Sequence, residues 1–193
     1  MIKNIVCFLD RDGVLIEEVG YLSAPSQVKL INNSISALKI LTNLNIKIIV
    51  ITNQAGVAKG YFKESEIAEI HKQIDKLLAE HNLTIEKYYY CPHHPNGIIT
   101  KYSIKCECRK PSPGMIIQAI NDFNVDIEKS FFIGDKISDI EAAGQANIRA
   151  VLVKTGHGKE HINSAIEKTV TVKNDILDAV LHFTENLNVD IGP

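Results

Sequence analysis

The sequence predicts an α/β fold, a doubly wound, Rossmann-like parallel sheet of about five strands. Short apolar runs alternate along the chain with longer segments of helical periodicity, as in repeated βα units. The runs are continuously apolar, which is typical of strands covered by helices on both faces. With 193 residues and 45% hydrophobic content, the chain can bury one sizeable core. We therefore expect a single domain over residues 1–193, without a separate cap domain.

The N-terminal half supplies two strands and two amphipathic helices. The apolar run Ile5–Leu9 predicts the first strand, and after a polar segment Ser34 opens a helix whose apolar residues share one face. The run Ile46–Ile51 predicts the second strand. A long helix follows over Lys63–Glu80, because its isoleucines and leucines recur at helical spacing.

The C-terminal half continues the alternation of strands and helices. Pro113 suits the first turn of a helix that ends near Phe123. The last residues, 185–193, are expected to form a loose tail. The remaining predicted elements are the strands Lys87–Tyr90, Ser130–Ile133 and Ala150–Val153 and the helices Ser138–Ala146 and Asn174–Phe183.

Acidic residues follow two of these strands at the point where each strand ends. If the first strand is central, right-handed crossovers place the second and third strands on one side and the fourth and fifth on the other. Asp10 and Asp12 would then face Asp135 across the switch point of the sheet, where such folds bind ligands. Seen alone, the first pair also fits an Asp-Gly turn, and Asp135 also fits a helix cap. Together the three carboxylates predict an oxygen site for Mg²⁺.

Cations and a hydroxyl are expected at the same edge of the sheet. Thr52 and Asn53 end the second strand, and Arg109 with Lys110 precede the third helix. A phosphoryl group bound together with Mg²⁺ would satisfy both signs of charge. The chain contains no Gly-x-x-x-x-Gly-Lys-Ser/Thr loop for a nucleotide triphosphate, so the alternative is an aspartate nucleophile that forms an aspartyl-phosphate.

Three cysteines and a histidine predict a second metal site in the loop 91–110. Cys91-x-His93 is followed, after twelve intervening residues, by Cys106-x-Cys108. Three thiolates and one imidazole complete a tetrahedral Zn²⁺ shell, and a closed shell indicates a structural metal. His94 is an alternative ligand to His93. We therefore expect a zinc-stapled loop.

Composition and charge exclude several classes of function. The formal net charge is −2, with basic and acidic residues interleaved, so nucleic acid is not an expected partner. No apolar run is long enough to span a bilayer, and no signal peptide is recognisable. The tyrosines 88–90 are interpreted as strand residues rather than as a base-stacking platform. We expect a cytoplasmic monomer that binds a small molecule and no membrane.

Short motifs at these strand ends resemble those of the haloacid dehalogenase-like (HAD) phosphatase superfamily. Segments around the cysteines further resemble the D-glycero-D-manno-heptose 1,7-bisphosphate 7-phosphatases, with histidinol-phosphate phosphatases as more distant relatives. The resemblance covers roughly residues 5–156. It is carried by Asp10-Arg11-Asp12-Gly13, Thr52-Asn53, Lys110, Gly134-Asp135 with Asp139, Cys91-Pro92-His93-His94-Pro95, Cys106-Glu107-Cys108-Arg109-Lys110-Pro111 and Gly114-Met115.

The resemblance implies a Mg²⁺-dependent phosphatase of nucleotide-activated heptose biosynthesis that removes the 7-phosphate of its sugar bisphosphate. Asp10 would be the nucleophile and Asp12 the general acid and base. Asp10, the backbone carbonyl of Asp12 and Asp135 would hold Mg²⁺, while Thr52 and Lys110 would stabilise the transferring phosphoryl. The implied substrate-binding residues are Arg11, Glu18, Val19, Gly20, Tyr21, Asn53, Gln54, Ala55, Arg109 and Lys136.

Some alternatives stay open at this point. Histidinol phosphate is the other candidate substrate, and a zinc-stabilised phosphate-binding module without turnover is a candidate of another class. A phosphotransferase would keep the aspartyl-phosphate but pass it to another acceptor. The role of Asp139, as a Mg²⁺ ligand or as a structural residue, is undecided. Val14 departs from the superfamily, which usually has threonine after the glycine.

Overall fold

A computed structural model describes residues 3–185 of the chain. These residues form a parallel sheet flanked by helices. The strands are β1 (Val6–Leu9), β2 (Lys47–Asn53), β3 (Lys87–Cys91), β4 (Phe131–Gly134), β5 (Arg149–Val153) and β6 (Val172–Lys173). The helices are α1 (Ser34–Asn43), α2 (Glu64–Ala79), α3 (Gly114–Phe123), α4 (Ile137–Gln145), α5 (Gly158–Glu167) and α6 (Ile176–Thr184).

The sheet has the predicted order around a central first strand. From one edge to the other the strands run β3-β2-β1-β4-β5-β6, and all neighbours are parallel. Leu9, the last residue of β1, pairs with Val50 of β2 and Ile133 of β4. The residues that follow each of these three positions therefore meet at one edge of the sheet, as predicted.

Two elements were not predicted. The sheet has a sixth strand, β6, rather than about five, and α5 precedes it. β6 is only two residues long and half-buried, so it carries no continuous apolar run. In α5 only Gly158 and Ala165 are buried, which leaves no helical stripe of large apolar residues to detect. The bounds of the predicted elements differ from the observed ones by one or two residues, mainly at their ends.

Alternate strand residues face two separate layers of helices. One layer packs α1, α2 and α6 against residues such as Leu9 and Val50. The opposite layer packs α3 and α4 against Phe8, Ile51 and Phe132. Because both faces of the central strands are covered, β1 is entirely buried and the site at its end rests on a rigid support.

Left-handed asparagines return the chain from helix to strand. Asn45, Asn82, Asn124 and Asn147 follow α1 to α4, with φ values of 54°, 58°, 47° and 57°. Asparagine tolerates this conformation better than most residues other than glycine, and it commonly ends helices. These turns help to start β2 to β5 at one edge of the sheet, so that their carboxyl ends gather at the other.

The segments around the site carry little regular structure. Residues 10–33 contain one short 3₁₀ turn, Pro25–Gln27, and residues 92–113 contain another, Thr100–Tyr102. Among the described helices, none has the length and apolar character needed to cross a membrane. The predicted loose tail lies, from residue 186 onwards, outside the described residues.

Candidate active site

A cleft of about 360 Å³ opens at the carboxyl edge of the sheet. It lies over the ends of β1, β2 and β4, where the sequence predicted a site. Most of the predicted site residues line it, together with side chains that were not predicted. The lining residues are Asp10, Arg11, Asp12, Glu18, Gly20, Tyr21, Leu22, Thr52, Asn53, Gln54, Ala55, Gly56, Phe62, Lys110, Lys136, Ser138, Asp139 and His157.

Asp10 and Lys110 form a buried ion pair at the floor of the cleft. Lys110 Nζ lies 3.0 Å from Asp10 Oδ1 and 2.7 Å from Asp139 Oδ1, and it donates to the carbonyl of Ile51 at 2.7 Å. Burial alone would lower the pKa of Lys110, but the two carboxylates outweigh it and raise this pKa above its ordinary value. Lys110 is therefore a fixed positive charge beside Asp10.

Burial raises the pKa of Asp10 itself to about 6, and the charge of Lys110 opposes this rise. The backbone N–H of Arg11 donates to Asp10 Oδ1 at 2.8 Å, which leaves the carboxylate oriented. An oriented carboxylate that stays ionised near neutral pH and lies beside a fixed cation is suited to attack a phosphorus atom.

Asp135 lies beside Asp10 and is completely buried. One of its oxygens, Oδ2, accepts a hydrogen bond from the backbone N–H of His157 at 2.8 Å. The other, Oδ1, has no hydrogen-bond partner among the described residues, and Lys136 Nζ lies 3.9 Å from it. Burial, followed by the charge of Asp10, raises the pKa of Asp135 to about 8. A buried carboxylate oxygen without a hydrogen-bond partner, such as Asp135 Oδ1, is stabilised by a bound proton or cation.

Asp10, Asp135 and Asp139 form a group that fits a divalent cation. One oxygen of each lies within 4.8 Å of the others, and all three residues are buried. The backbone at position 13 passes so close to Asp135 that only glycine fits there, because a Cβ on Gly13 would lie 2.3 Å from Asp135 Oδ2. Mg²⁺ prefers carboxylate oxygens of this kind. Asp139, whose role the sequence left open, is thus part of the acidic group and is also paired with Lys110.

The carboxylate of Asp12 is held in a polar network and is not a member of this acidic group. Arg11 Nη2 lies 3.0 Å from both carboxylate oxygens of Asp12, and Gln54 Nε2 donates to Asp12 Oδ2 at 2.9 Å. Thr52 Oγ1 lies 3.5 Å from the same oxygen. Asp12 is 14% exposed, so a group in the cleft can reach it. Its side chain is therefore separate from the acidic group but open to a bound ligand.

Asn53 holds the loop after β3 against the cleft by binding the backbone of Lys110. Its side chain donates to the carbonyl of Lys110 at 3.0 Å and accepts from the backbone N–H of Lys110 at 3.1 Å. This double contact ties the end of β2 to the segment that carries Lys110. Asn53 thus fixes the position of the lysine.

The rim of the cleft carries charged side chains from three different loops. Glu18 Oε2 lies 3.4 Å from Lys136 Nζ and 3.5 Å from His157 Nε2. Tyr21 OH accepts a hydrogen bond from Lys59 Nζ at 2.6 Å. These groups surround the opening with donors and acceptors suited to a polyhydroxylated, anionic ligand.

The predicted zinc ligands converge at the end of β3 and in the loop that follows it. Cys108 Sγ lies 3.1 Å from Cys91 Sγ, 3.2 Å from Cys106 Sγ and 3.4 Å from His93 Nδ1. The four ligand atoms form one compact group, which fits a tetrahedral Zn²⁺. His94 is turned elsewhere, since its Nδ1 accepts from the backbone N–H of Asn96. The geometry therefore favours His93 over His94.

Two predicted substrate-binding residues do not line the cleft. Val19 is 45% exposed at the surface. Arg109 lines a neighbouring groove that shares Lys110 with the cleft, and its guanidinium donates to the carbonyl of His93 at 3.2 Å. In addition, Arg11 is only 1% exposed, so its side chain is engaged inside the protein.

Several lining residues were missed in the sequence. His157 and Ser138 follow β5 and β4, and the rule that led to Asp10 and Asp135 would have found them. Leu22, Gly56 and Phe62 belong to loops without a strand-end signal. Val14, which departs from the usual threonine, offers no hydroxyl, and the carbonyl of the preceding Gly13 accepts a hydrogen bond from Thr155 Oγ1 at 2.6 Å. The valine is buried in the core.

Comparison with known proteins identifies the family. A HAD-hydrolase-like family model matches residues 107–179. The chain is 41% identical, over 77% of its length and 80% of the relative's, to a D-glycero-beta-D-manno-heptose-1,7-bisphosphate 7-phosphatase from Yersinia pestis. It is 45% identical, over 80% of its length and 85% of the relative's, to a D-glycero-alpha-D-manno-heptose-1,7-bisphosphate 7-phosphatase from Photorhabdus laumondii. The chain belongs to the heptose-bisphosphate phosphatase family of the HAD superfamily.

A crystal structure from this family has the same fold. It is D,D-heptose 1.7-bisphosphate phosphatase from B. bronchiseptica, complexed with magnesium and phosphate, with a TM-score of 0.84 and 27% identity. The match covers 94% of this chain and 98% of the other. A HAD-like phosphatase from Mesorhizobium loti matches with a TM-score of 0.82 and 26% identity, over 98% of this chain and 90% of the other.

Proposed function

We propose that the chain is a Mg²⁺-dependent phosphatase that removes the 7-phosphate of D-glycero-D-manno-heptose 1,7-bisphosphate through an aspartyl-phosphate. The observation that carries this proposal is Asp10, which lines the open cleft and is paired with Lys110 at 3.0 Å. It belongs to a group of three buried carboxylates with Asp135 and Asp139. The relatives supply the substrate, because they are phosphatases of this sugar bisphosphate.

In the first half of the reaction a carboxylate oxygen of Asp10 attacks phosphorus. The bond between phosphorus and the sugar oxygen O7 breaks, and Asp12 gives a proton to that oxygen. Lys110 and the hydroxyl of Thr52 offset the charge on the phosphoryl oxygens. The product is the heptose 1-phosphate, with the phosphoryl group on Asp10.

In the second half Asp12, now ionised, takes a proton from a water molecule. The water oxygen attacks phosphorus and the bond to Asp10 breaks, which releases inorganic phosphate and restores both residues. The partly open position of Asp12 at the cleft suits this exchange of protons with ligand and water. Asp12 thus serves both steps with one carboxyl group.

The acidic group is the proposed Mg²⁺ site. Asp10, Asp135 and the backbone carbonyl of Asp12 would hold the ion, with Asp139 beside them as a buried negative charge paired to Lys110. The ion supplies charge neutralisation for the phosphoryl oxygens when it is bound. This assignment accounts for the buried, unpartnered Oδ1 of Asp135.

The substrate's second phosphate must lie away from Asp10. We assign Lys136, on the rim, and Arg109, in the adjoining groove, to this distal phosphate and its neighbouring hydroxyls. Glu18, Gly20, Tyr21 and the loop 53–55 would contact the sugar. The two cations favour a bisphosphate over histidinol phosphate, which carries a single phosphate.

The proposal has four further parts: structural zinc, a single domain, a monomeric state and a cytoplasmic location. The Cys/His group sits in a loop next to Arg109 and Lys110, where a closed metal shell would hold both residues. Free cysteines in a chain with these ligand spacings suit a reducing compartment.

Phosphate release from a panel of substrates tests the function. The panel contains the α and β anomers of the heptose 1,7-bisphosphate and histidinol phosphate, each with and without Mg²⁺. We expect Mg²⁺-dependent release from at least one heptose anomer and retention of the 1-phosphate. A preference for histidinol phosphate over both anomers would replace the proposed substrate, and transfer to added alcohols in place of water would indicate a phosphotransferase.

Replacing a zinc ligand should remove the metal and loosen the loop. We expect Cys106→Ser and Cys108→Ser to lose bound zinc, as measured by elemental analysis. They should lose about 2–5 kcal/mol of stability, by analogy with a native cross-link, or roughly 2–4 °C in Tm for each kcal/mol. KM for the bisphosphate should rise. Cys7→Ala is the matched control, because Cys7 is a core thiol outside the group and its variant should keep zinc. A zinc-free variant with wild-type Tm and KM would contradict the structural role.

Mg²⁺ should stabilise the protein more at high pH than at low pH. Burial raises the folded-state pKa of Asp10 to about 6 and of Asp135 to about 8, both from 3.8. Protonation of these groups therefore favours the folded state fully below pH 3.8, and this contribution is lost as the pH rises through 6 and then 8. Above pH 8 both carboxylates are charged and can bind the cation without displacing a proton.

At a Mg²⁺ concentration one hundred times its Kd, the expected stabilisation above pH 8 is about 2.7 kcal/mol, and it should shrink progressively below pH 6. Thermal unfolding with and without Mg²⁺ at matched ionic strength measures it. Asp135→Asn should abolish most of the effect. An equal Mg²⁺ shift in Tm on both sides of this pH range would contradict the assignment.

A further inference from the structure

Arg11, the middle residue of the Asp10-Arg11-Asp12 motif, has a guanidinium enclosed by the protein. Its side chain is 1% exposed, and within residues 3–185 it ranks first in volume among the fully buried side chains. A buried guanidinium is costly unless its N–H groups are paired. Arg11 Nε lies 3.2 Å from Asp12 Oδ2, and Nη2 donates to Asp12 Oδ1 and Gln54 Oε1, each at 3.0 Å. These contacts clamp the carboxylate of Asp12 from one side.

The remaining end of the guanidinium meets a histidine from the second helix. Arg11 Nη1 lies 3.4 Å from His71 Nε2. His71 is 9% exposed and sits on the buried face of α2, between Ile67 and Ile74. Burial, followed by the charge of Arg11, lowers the pKa of His71 to about 3, so the imidazole is neutral and Nε2 can accept a hydrogen bond.

The imidazole is itself held in place by an aromatic ring. His71 stacks on Tyr88 of β3, with ring centroids 4.1 Å apart and an interplanar angle of 12°. Tyr88 OH donates to Asp75 at 2.6 Å, which fixes the ring. A continuous set of contacts therefore runs from α2 and β3 through His71 and Arg11 to Asp12.

We propose that His71 is a positioning residue for proton transfer, which holds the Arg11 guanidinium so that Asp12 faces the oxygen it protonates. The proposal rests on the role proposed above for Asp12. Arg11 contacts Asp12 through Nε and Nη2 only when its guanidinium plane is fixed, and His71 supplies the contact at the opposite corner of that plane. Without an acceptor at position 71, Nη1 loses this buried partner and the guanidinium can reorient.

A defect in proton transfer has a signature that a general loss of structure lacks. An alkyl or sugar phosphate needs its leaving oxygen protonated, whereas p-nitrophenyl phosphate has a leaving group that departs without a proton. A displaced Asp12 should therefore slow the first half of the reaction much more for the first kind of substrate than for the second. The second half is common to both kinds, so the comparison uses kcat/KM, which reports only the steps up to transfer of the phosphoryl group to Asp10. Both kinds can be compared on any phosphatase, so the test does not depend on which sugar is the natural substrate.

Two substitutions separate hydrogen bonding from packing. His71→Phe keeps a ring to stack on Tyr88 but removes the acceptor, while His71→Gln keeps an acceptor but removes the ring. We expect His71→Phe to lower kcat/KM on a sugar phosphate at least about tenfold, the effect of losing one hydrogen bond to a charged group. The Mg²⁺ requirement and kcat/KM on p-nitrophenyl phosphate should change less than about threefold. His71→Gln should recover most of the loss.

His81→Phe, at an exposed position after α2, is the matched control and should behave as the wild type. An unchanged kcat/KM in His71→Phe on both substrates would overturn the proposal, and so would an equal loss of kcat/KM on both. If His71→Phe does not fold, His71→Leu, which is smaller and also lacks an acceptor, takes its place in the same comparison. Failure of the wild type on every heptose bisphosphate would count against the proposed substrate alone.

Discussion

The Asp10→Asn variant is expected to release no phosphate from any substrate, although it folds as the wild type does. The amide of asparagine cannot form the covalent bond to phosphorus, so the first step is lost and not merely slowed. The amide matches the carboxylate in size, and Lys110 keeps Asp139 as a carboxylate partner at 2.7 Å, so its buried charge stays paired. Phosphate release measures the loss, and thermal unfolding verifies the fold.

Chemical trapping gives a second measurement of the same prediction. With a ³²P-labelled substrate, acid-quenched wild-type protein should carry label that hydroxylamine removes, as an acyl phosphate does, and Asp10→Asn should carry none. Mass spectrometry must exclude deamidation of Asn back to Asp in the sample. Turnover by an intact amide, or label on the Asp10→Asn chain, would rule out Asp10 as the nucleophile.

Much of this site follows from a rule that can be read in the sequence. Polar residues that come directly after apolar runs mark the carboxyl ends of strands, and parallel strands gather those ends at one edge. Asp10, Thr52 and Asp135 were found in this way, and the order of β1 to β5 followed from right-handed crossovers. The convergence of Cys91, His93, Cys106 and Cys108 was predictable from their spacing, because two closely spaced ligand pairs on one loop can close on the same point.

Other features depend on tertiary contacts that no local pattern encodes. β6 and α5 are stabilised by β5 and α4 rather than by their own apolar periodicity. Arg11 was assigned to the substrate as one of the motif residues, but its guanidinium is enclosed by Asp12, Gln54 and His71. The position of His71 on the apolar face of α2 predicts that it is buried, but it does not predict its contact with Arg11.

The Asp12→Ala variant is expected to slow turnover by about 10²–10⁴-fold, the usual range for the loss of a general acid and base. It also leaves the buried guanidinium of Arg11 without its counter-ion, which costs about 3–5 kcal/mol of stability for a broken buried pair. Asp12→Asn is the closer variant, because its amide oxygen can still accept from Arg11. Both variants should retain Mg²⁺ binding, since the carboxylate that they lose, that of Asp12, lies outside the group of Asp10, Asp135 and Asp139.

The two halves of the reaction should respond differently to Asp12→Asn. On p-nitrophenyl phosphate the first half needs no proton, so the variant should still place a phosphoryl group on Asp10. The second half needs Asp12 to activate water. The labelled aspartyl-phosphate should therefore form rapidly in the first half and then accumulate. On a sugar phosphate both halves are slowed and little label should form. Equal slowing on the two substrates without accumulated label would show that Asp12 acts through binding or structure and not as the proton donor and acceptor.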